Sequence, residues 1–390
     1  MTEVEVNPNR LLHLLSLFGM TKNELLERIS HGRKTPIEAS EIFGEWVKSS
    51  HLRKIDDVFK KGIAYYIDPK DLHSSPQESV FFRKNHFNAE LNFGAKRIVN
   101  QFENEKLELS ALSKLADAKF PRLLPTFDVF VEPSKAAGEV RRIVGPISAR
   151  NPRGFLKASI DRLAELNVLV FEFVETWNQK EKANIDGCFL KPDMILLKRN
   201  QNAFRREIFT LYHELGHFLL NEEEIDDISL EKTATDHLGA VEKWCSSFAF
   251  FFLLGDREAE YSSVPDATIT NQYSERQVRV LTASTFLSSL AIYTRLKIDQ
   301  RISRDDYELV RSRILHAIED RKAEEKRLVK IERERAIAEG RKPGGATPKP
   351  IISPLYLRTL KNALLEGLIN EVRFCKKLRI KPERLEEYFS

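Results

Sequence analysis

The chain has 390 residues, 42% of them hydrophobic and 31% charged, and a formal net charge of +4. These values exclude a disordered chain and a strongly basic nucleic-acid binder, and they allow two or three domains around a substantial core. The three cysteines, Cys188, Cys245 and Cys375, form no C-x-x-C pair and fit a reducing cytosol. The first residues lack a basic region followed by an apolar one, so no secretory signal is expected. The longest apolar run, 248–254, is too short to span a bilayer. A cytoplasmic protein with no membrane partner is the expectation.

Residues 9–68 read as helices. Leu11, Leu12, Leu14, Leu15, Leu17 and Phe18 form an amphipathic helix that ends at Gly19. Thr21 then caps a second helix, with Glu24 three residues on as a capping box and Leu25, Leu26 and Ile29 as its apolar positions. A helix, a glycine turn and a short helix open a helix-turn-helix DNA reader. The stretch 31–36 then intervenes, and no compact recognition helix follows. The alternative for this first domain, 1–72, is a helical bundle that binds protein or only packs. Arg33, Lys34, Arg53, Lys54, Lys60 and Lys61 leave contact with nucleic-acid phosphates open.

A connector, 73–153, comes next. Residues 73–77 carry linker composition. The aromatic and basic run 81–87 reads as a clamp between domains rather than a base-stacking surface. Helices are expected over 95–101 and 107–118. Pro121, Pro125, Pro133, Gly138, Gly145 and Pro146 then predict an irregular connection with short strands.

The core domain is placed at 154–315. Residues 158–166 read as a helix, 168–174 as a buried strand, and 188–197 as a hairpin turning at 191–193. One strand edge could pair with an extended substrate backbone. The hairpin leads into 205–220, which contains His213-Glu214-Leu215-Gly216-His217, an H-E-x-x-H motif. Phe204, Ile208, Leu211, Leu215, Phe218 and Leu219 fall in one apolar stripe at helical spacing, so the stretch is a helix. Asn200 and Asn202 are N-cap candidates, and Asn221 can end it. Positions i and i+4 share a helix face, so His213 and His217 can address one metal ion from a working front opposite a buried back. Neutral imidazole is a good zinc ligand, and zinc lowers the pKa of a bound water towards neutrality. Glu214 is then placed to take that water's proton and return it to a leaving amine.

A catalytic zinc commonly has three protein ligands and an open position. From the residues alone the third ligand stays open between Glu242, Asp236 and His237, with the acidic run 222–224 a weaker competitor. On a helix, Glu242, Cys245, Ser246 and Ala249 share a face beside Gly239, small residues that let two helices approach closely.

Further helices are expected at 274–284 and 285–296. Another is capped by Ser303, with Asp305 and Asp306 in its first turn, and runs on through the alternating charges of 319–339. Residues 316–350 thus make a charged helix and a flexible linker, and 351–390 a C-terminal helical segment of two or three short helices.

The motif residues resemble the ImmA/IrrE family of zinc-dependent, gluzincin-like metallopeptidases. That core reads as an Arg-rich lead-in, F-T-x-x-H-E-L-G-H, and about 25 residues later E-x-x-A-N-x-F-A. Arg205-Arg206, Phe209-Thr210, His213 to His217, Glu242, Phe248 and Ala249 match in register. The resemblance implies Zn2+ as cofactor, His213, His217 and Glu242 as metal ligands, and Glu214 as the catalytic residue. Cys245-Ser246 replaces the usual Ala-Asn, and 253–256 departs from a Leu-Met-Pro ending. The first departure puts a thiol near the site, as packing or as a redox-sensitive spot. The expected fold class is α+β: a mainly helical chain around a small zincin-type core, with a short antiparallel or mixed sheet and an HExxH helix. The implied function is an endopeptidase acting on a protein substrate. That substrate would be a helix-turn-helix repressor in stress response or mobile-element control, with DNA or single-stranded nucleic acid as an activator. The alternative is a DNA-binding regulator or toxin–antitoxin component that keeps the zinc fold as scaffold or sensor.

Overall fold

The computed structural model describes residues 2–70, 91–175, 181–199, 204–222, 237–264, 272–341 and 349–389, except the side chains of 237–238 and 272–274. The linker at 73–77 and the aromatic run at 81–87 lie outside the described residues.

The N-terminal unit contains β1 (Glu3–Glu5), α1 (Pro8–Phe18), α2 (Lys22–Ser30), β2 (Trp46–Lys48), α3 (Ser49–Phe59) and α4 (Ile63–Ile67). Asn7 accepts from Asn9 N at the start of α1, and Gly19 ends that helix at φ +60°. Thr21 and Glu24 form the expected capping box of α2. Leu14, Leu25, Ile42, Ile55 and Phe59 fill a core of its own. The antiparallel pair β1–β2 was not expected. At three residues each, these strands are too short to display an alternating pattern. No third helix follows α2 closely; a 3-10 turn and β2 intervene before α3. Of the basic residues, Lys54 donates to Ile29 O, Lys60 to Asp57 and Lys61 to Asn104, while Arg33, Lys34 and Arg53 stay exposed.

The two helices expected over 95–118 are one, α5 (Phe93–Leu115). Its apolar pattern is interrupted by Asn100, Glu103 and Asn104 because this stretch faces the N-terminal unit. There Asn104 donates to Asn100 O and accepts from Lys61 Nζ at 3.3 Å. A second correction concerns 121–146. Residues 133–144 form α6 (Pro133–Val144), not short strands. Pro133 sits in the first turn, where its missing N–H costs nothing, and Gly145 takes the C-cap at φ +75°. Gly138 faces open space and makes no turn.

The central sheet consists of β3 (Leu169–Phe173), β4 (Gly187–Leu190) and β5 (Met194–Lys198), in the order β3-β5-β4. β3 runs parallel to β5, and β4–β5 is the expected antiparallel hairpin. Side chains alternate between two cores. Val170, Phe189, Ile195 and Leu197 pack with α6, α7 (Pro152–Glu165), α8 (Phe204–Leu220) and α9 (His237–Leu254). Leu169, Phe173, Cys188, Leu190, Met194 and Leu196 pack with α5, α14 (Pro354–Leu365) and α15 (Glu371–Leu378). A sheet covered on both faces explains why its strands read as continuous apolar runs. It also gives residues 351–389 a structural task, since α14 and α15 cover the second face.

The remaining helices are α10 (Glu258–Ser262), α11 (Gln272–Ser284), α12 (Ser289–Ile298) and α13 (Arg304–Ala338). Ser303 caps α13 as expected, accepting from Asp306 N at 3.0 Å. The far half of α13 is exposed and laced by pairs such as Arg327–Glu324 and Arg335–Glu339. The chain is therefore α+β: mostly helical, with one two-stranded and one three-stranded sheet among the described residues.

Candidate active site

The HExxH helix, α8, is anchored at its start by charge. Arg205 donates to Thr285 O and Leu287 O, and Arg206 pairs with Asp186 just before β4. Glu207 is 3% exposed and lies 3.4 Å from Arg199 and 3.8 Å from Arg153. Arg153 also pairs with Glu172 of β3, whose side chain is fully buried. These four charges tie α7, β3, the end of β5 and α8 together. At its far end Asn221 adopts φ +53°, and Glu222 N donates to His217 O at 3.0 Å, which terminates the helix as expected. The N-cap candidates Asn200 and Asn202 lie outside the described residues.

The working face of α8, which carries both histidines, is covered as well as its apolar back. His213 and His217 are each 1% exposed and Glu214 is 3% exposed. The reason is α9, which crosses α8 at Gly216. A Cβ on Gly216 would lie 3.0 Å from both Cα and Cβ of Cys245. Glycine at that position lets the second helix come close enough to cover the histidines. Cys245 is fully buried in this crossing, which gives its thiol a packing role.

That crossing brings Glu242 onto the histidines. His213 Nε2 lies 3.2 Å from His217 Nε2. The Glu242 carboxylate reaches His213 Nε2 at 3.1 Å through Oε2, and His217 Nε2 at 3.0 Å through Oε1. Burial of Glu242 works against its charge, but the imidazoles of His217 and His213 outweigh it. They hold the carboxyl well below the usual carboxylate range. Among the described residues, His213, His217 and Glu242 are the one group of three or more such side chains placed to hold a metal. Asp236 lies outside the described residues, as does the His237 side chain.

The donor set fits a tetrahedral metal. Ligand atoms about 2.05 Å from a tetrahedral zinc stand about 3.3 Å apart, close to the three separations found here. Two imidazole nitrogens and one carboxylate are also the donors of several catalytic zinc sites, which keep a fourth position for water or substrate.

Glu214 points from α8 towards the start of β4. A Cβ on Gly187 would meet Thr210 Cγ2 at 2.6 Å, Leu196 O at 2.9 Å and Glu214 Cγ at 3.2 Å. Gly187 thus lets the strand pass directly beside Glu214. Behind the first histidine, Ser246 Oγ lies 3.2 Å from His213 Nδ1. The sequence placed Ser246 on the Glu242 face as a small residue and as a departure from the family pattern, without a role towards His213, and it did not single out Gly187, Arg153, Glu172, Arg199 or Glu207. A glycine opening an apolar strand, and carboxylates inside apolar runs, were the available signals.

Residues 165–276 match the Peptidase_M78 family, described as the IrrE N-terminal-like domain. The Peptidase_M78 match runs from the last residue of α7 into α11 and contains His213, Glu214, His217 and Glu242. It does not extend to residues 1–72, so the helix-turn-helix resemblance gains nothing from it. No curated protein and no solved structure matches the chain significantly. No helix among the described residues is long and apolar enough to cross a membrane.

Proposed function

We propose that the chain is a zinc-dependent endopeptidase that cleaves a regulatory protein, a helix-turn-helix repressor by resemblance. The observation that carries the peptidase reading is the convergence of His213, His217 and Glu242 beside Glu214, inside the stretch matched to a peptidase family. His213, His217 and Glu242 would hold the ion. Bound there, zinc would supply Lewis acidity to an attacking water and to the scissile carbonyl.

The chain's own residues do the rest. Glu214 takes a proton from the water and delivers it to the departing amine, a role that suits a carboxylate confined on all sides. Confinement also excludes bulk water and strengthens electrostatics at the reacting atoms. Among the described residues β4 is an edge of its sheet, and a Cβ on its first residue, Gly187, would stand 3.2 Å from Glu214 Cγ. An extended substrate pairing along β4 would therefore run past the catalytic carboxylate. The exposed Arg33, Lys34 and Arg53 support a role for the N-terminal unit in meeting a nucleic-acid activator.

The test is mass spectrometry of the helix-turn-helix repressor encoded nearest to this protein, after incubation with wild type and with Glu214→Gln. Wild type should cut it. The variant should retain metal and fold but be slower by about 100- to 10,000-fold, the usual range for a general base. Cleavage by the variant within a few-fold of wild type would contradict the hydrolytic reading.

A further inference from the structure

One side chain beside the site is engaged by the first histidine and is not among the ligands. Ser246 lies one helical turn after Glu242 on α9, and its Oγ is 3.2 Å from His213 Nδ1. His213 Nε2 faces the other way, into the triangle with His217 and Glu242. A neutral imidazole carries one proton on its two nitrogens. For Nε2 to offer a lone pair to a metal, the proton must sit on Nδ1, and an acceptor must then stand opposite Nδ1. Ser246 Oγ is that acceptor.

We propose that Ser246 is a positioning residue for the metal centre, fixing His213 as its Nδ1–H tautomer and holding the plane of its ring. The inference rests on the metal reading above. One helix then delivers both the third ligand and the partner of the first, so the position of α9 against α8 sets two contacts at once. The Gly216–Cys245 crossing lies next to Ser246 in sequence and fixes that position. The partner is a neutral hydroxyl, so it orients the ring without adding charge behind it. Outer partners of this kind are commonly worth about 10- to 100-fold in metal affinity.

The experiment compares full-length wild type, Ser246→Ala and Ser246→Thr, with Glu242→Ala as the ligand-loss control. Zinc affinity is measured by chelator competition on the metal-free protein, and the His213 tautomer by nitrogen NMR of the same samples. Ser246→Ala should bind zinc about 10- to 100-fold more weakly and lose the Nδ1–H tautomer preference, while melting normally. Ser246→Thr, which keeps the hydroxyl, should recover most of both. Wild-type affinity and an unchanged tautomer in Ser246→Ala would overturn the proposal. If wild type itself takes up no zinc, the metal reading falls, and Ser246's role towards the metal falls with it. The NMR readout separates that outcome from a failure of the Ser246 contact alone.

Discussion

Gly216 of the HExxH helix packs directly on the backbone of Cys245, so closely that a side chain at position 216 would press on it. An added methyl group would stand 3.0 Å from Cys245 Cα and Cβ and 3.1 Å from its Sγ. The glycine of H-E-L-G-H is therefore a contact between helices, and Glu242 reaches the histidines only because the helices meet here.

Gly216→Ala should force α9 outwards by a few tenths of an ångström. Overpacking of this kind typically costs about 1–3 kcal/mol. The same displacement would draw Glu242 from His213 and His217, so zinc should dissociate faster than from wild type. Thermal melting together with zinc release to a chelator checks this. A variant that melts lower but releases zinc at the wild-type rate would separate the crossing from the site.

How much of this was legible in the sequence follows from what each signal depends on. His213, Glu214 and His217 were readable because helical spacing alone puts i and i+4 together. Glu242 needed a second helix whose docking no local pattern encodes, so spacing left it beside Asp236 and His237 until resemblance singled it out. The capping box at Thr21 and Glu24 and the cap at Ser303 were local, and both are present. The split of α5 and the disorderly reading of 133–144 failed for related reasons. Asn100 and Asn104 are polar because another unit lies against them, and Pro133 and Gly145 mark the ends of a helix rather than its absence. The burial of the histidine face of α8, as well as its apolar face, from Thr210 to Leu220 was also invisible, since apolar periodicity shows only the face that packs without polar groups.

The charged cluster under α8 should matter more than exposed ion pairs do. Glu172 has a fully buried side chain, accepts from Arg153, and receives Ile351 N at 2.5 Å from the segment that leads into α14. Removing one partner of a buried charge cluster commonly costs about 3–5 kcal/mol, because the remaining charge is left uncompensated. Glu172→Ala should lose stability of that order in urea unfolding. Arg153→Ala should lose at least as much, since it leaves the fully buried Glu172 carboxylate with Arg199 at 3.8 Å, whereas Glu172→Ala leaves Arg153, which is 27% exposed and within reach of water. Equal and small losses for both would show the cluster to be incidental.

Lys61 gives a pH dependence of definite sign. Burial pushes its ammonium down to about 8, against a weaker opposing pull from Glu103. Below pH 8 both folded and unfolded chains carry the proton, and the folded state bears the full cost of burying it. Between about 8 and 10.5 the unfolded chain still holds a proton that the folded chain has released, so stability rises with pH across that window. Lys61→Met should be more stable than wild type at pH 7, by about 1–3 kcal/mol. The gap should close as pH approaches 10.5. Urea unfolding of both proteins at pH 7 and pH 10 measures it. A gap that widens with pH would reverse the assignment.

The central claim is that His213, His217 and Glu242 form one metal centre assembled from two helices. The most direct measurement is the zinc content of the purified full-length protein beside that of Glu242→Ala, by elemental analysis after dialysis. The account predicts one zinc per wild-type chain and a large loss in the variant. Full zinc occupancy in Glu242→Ala would contradict it, by showing that the ion is held without the carboxylate that the Gly216–Cys245 crossing brings into place.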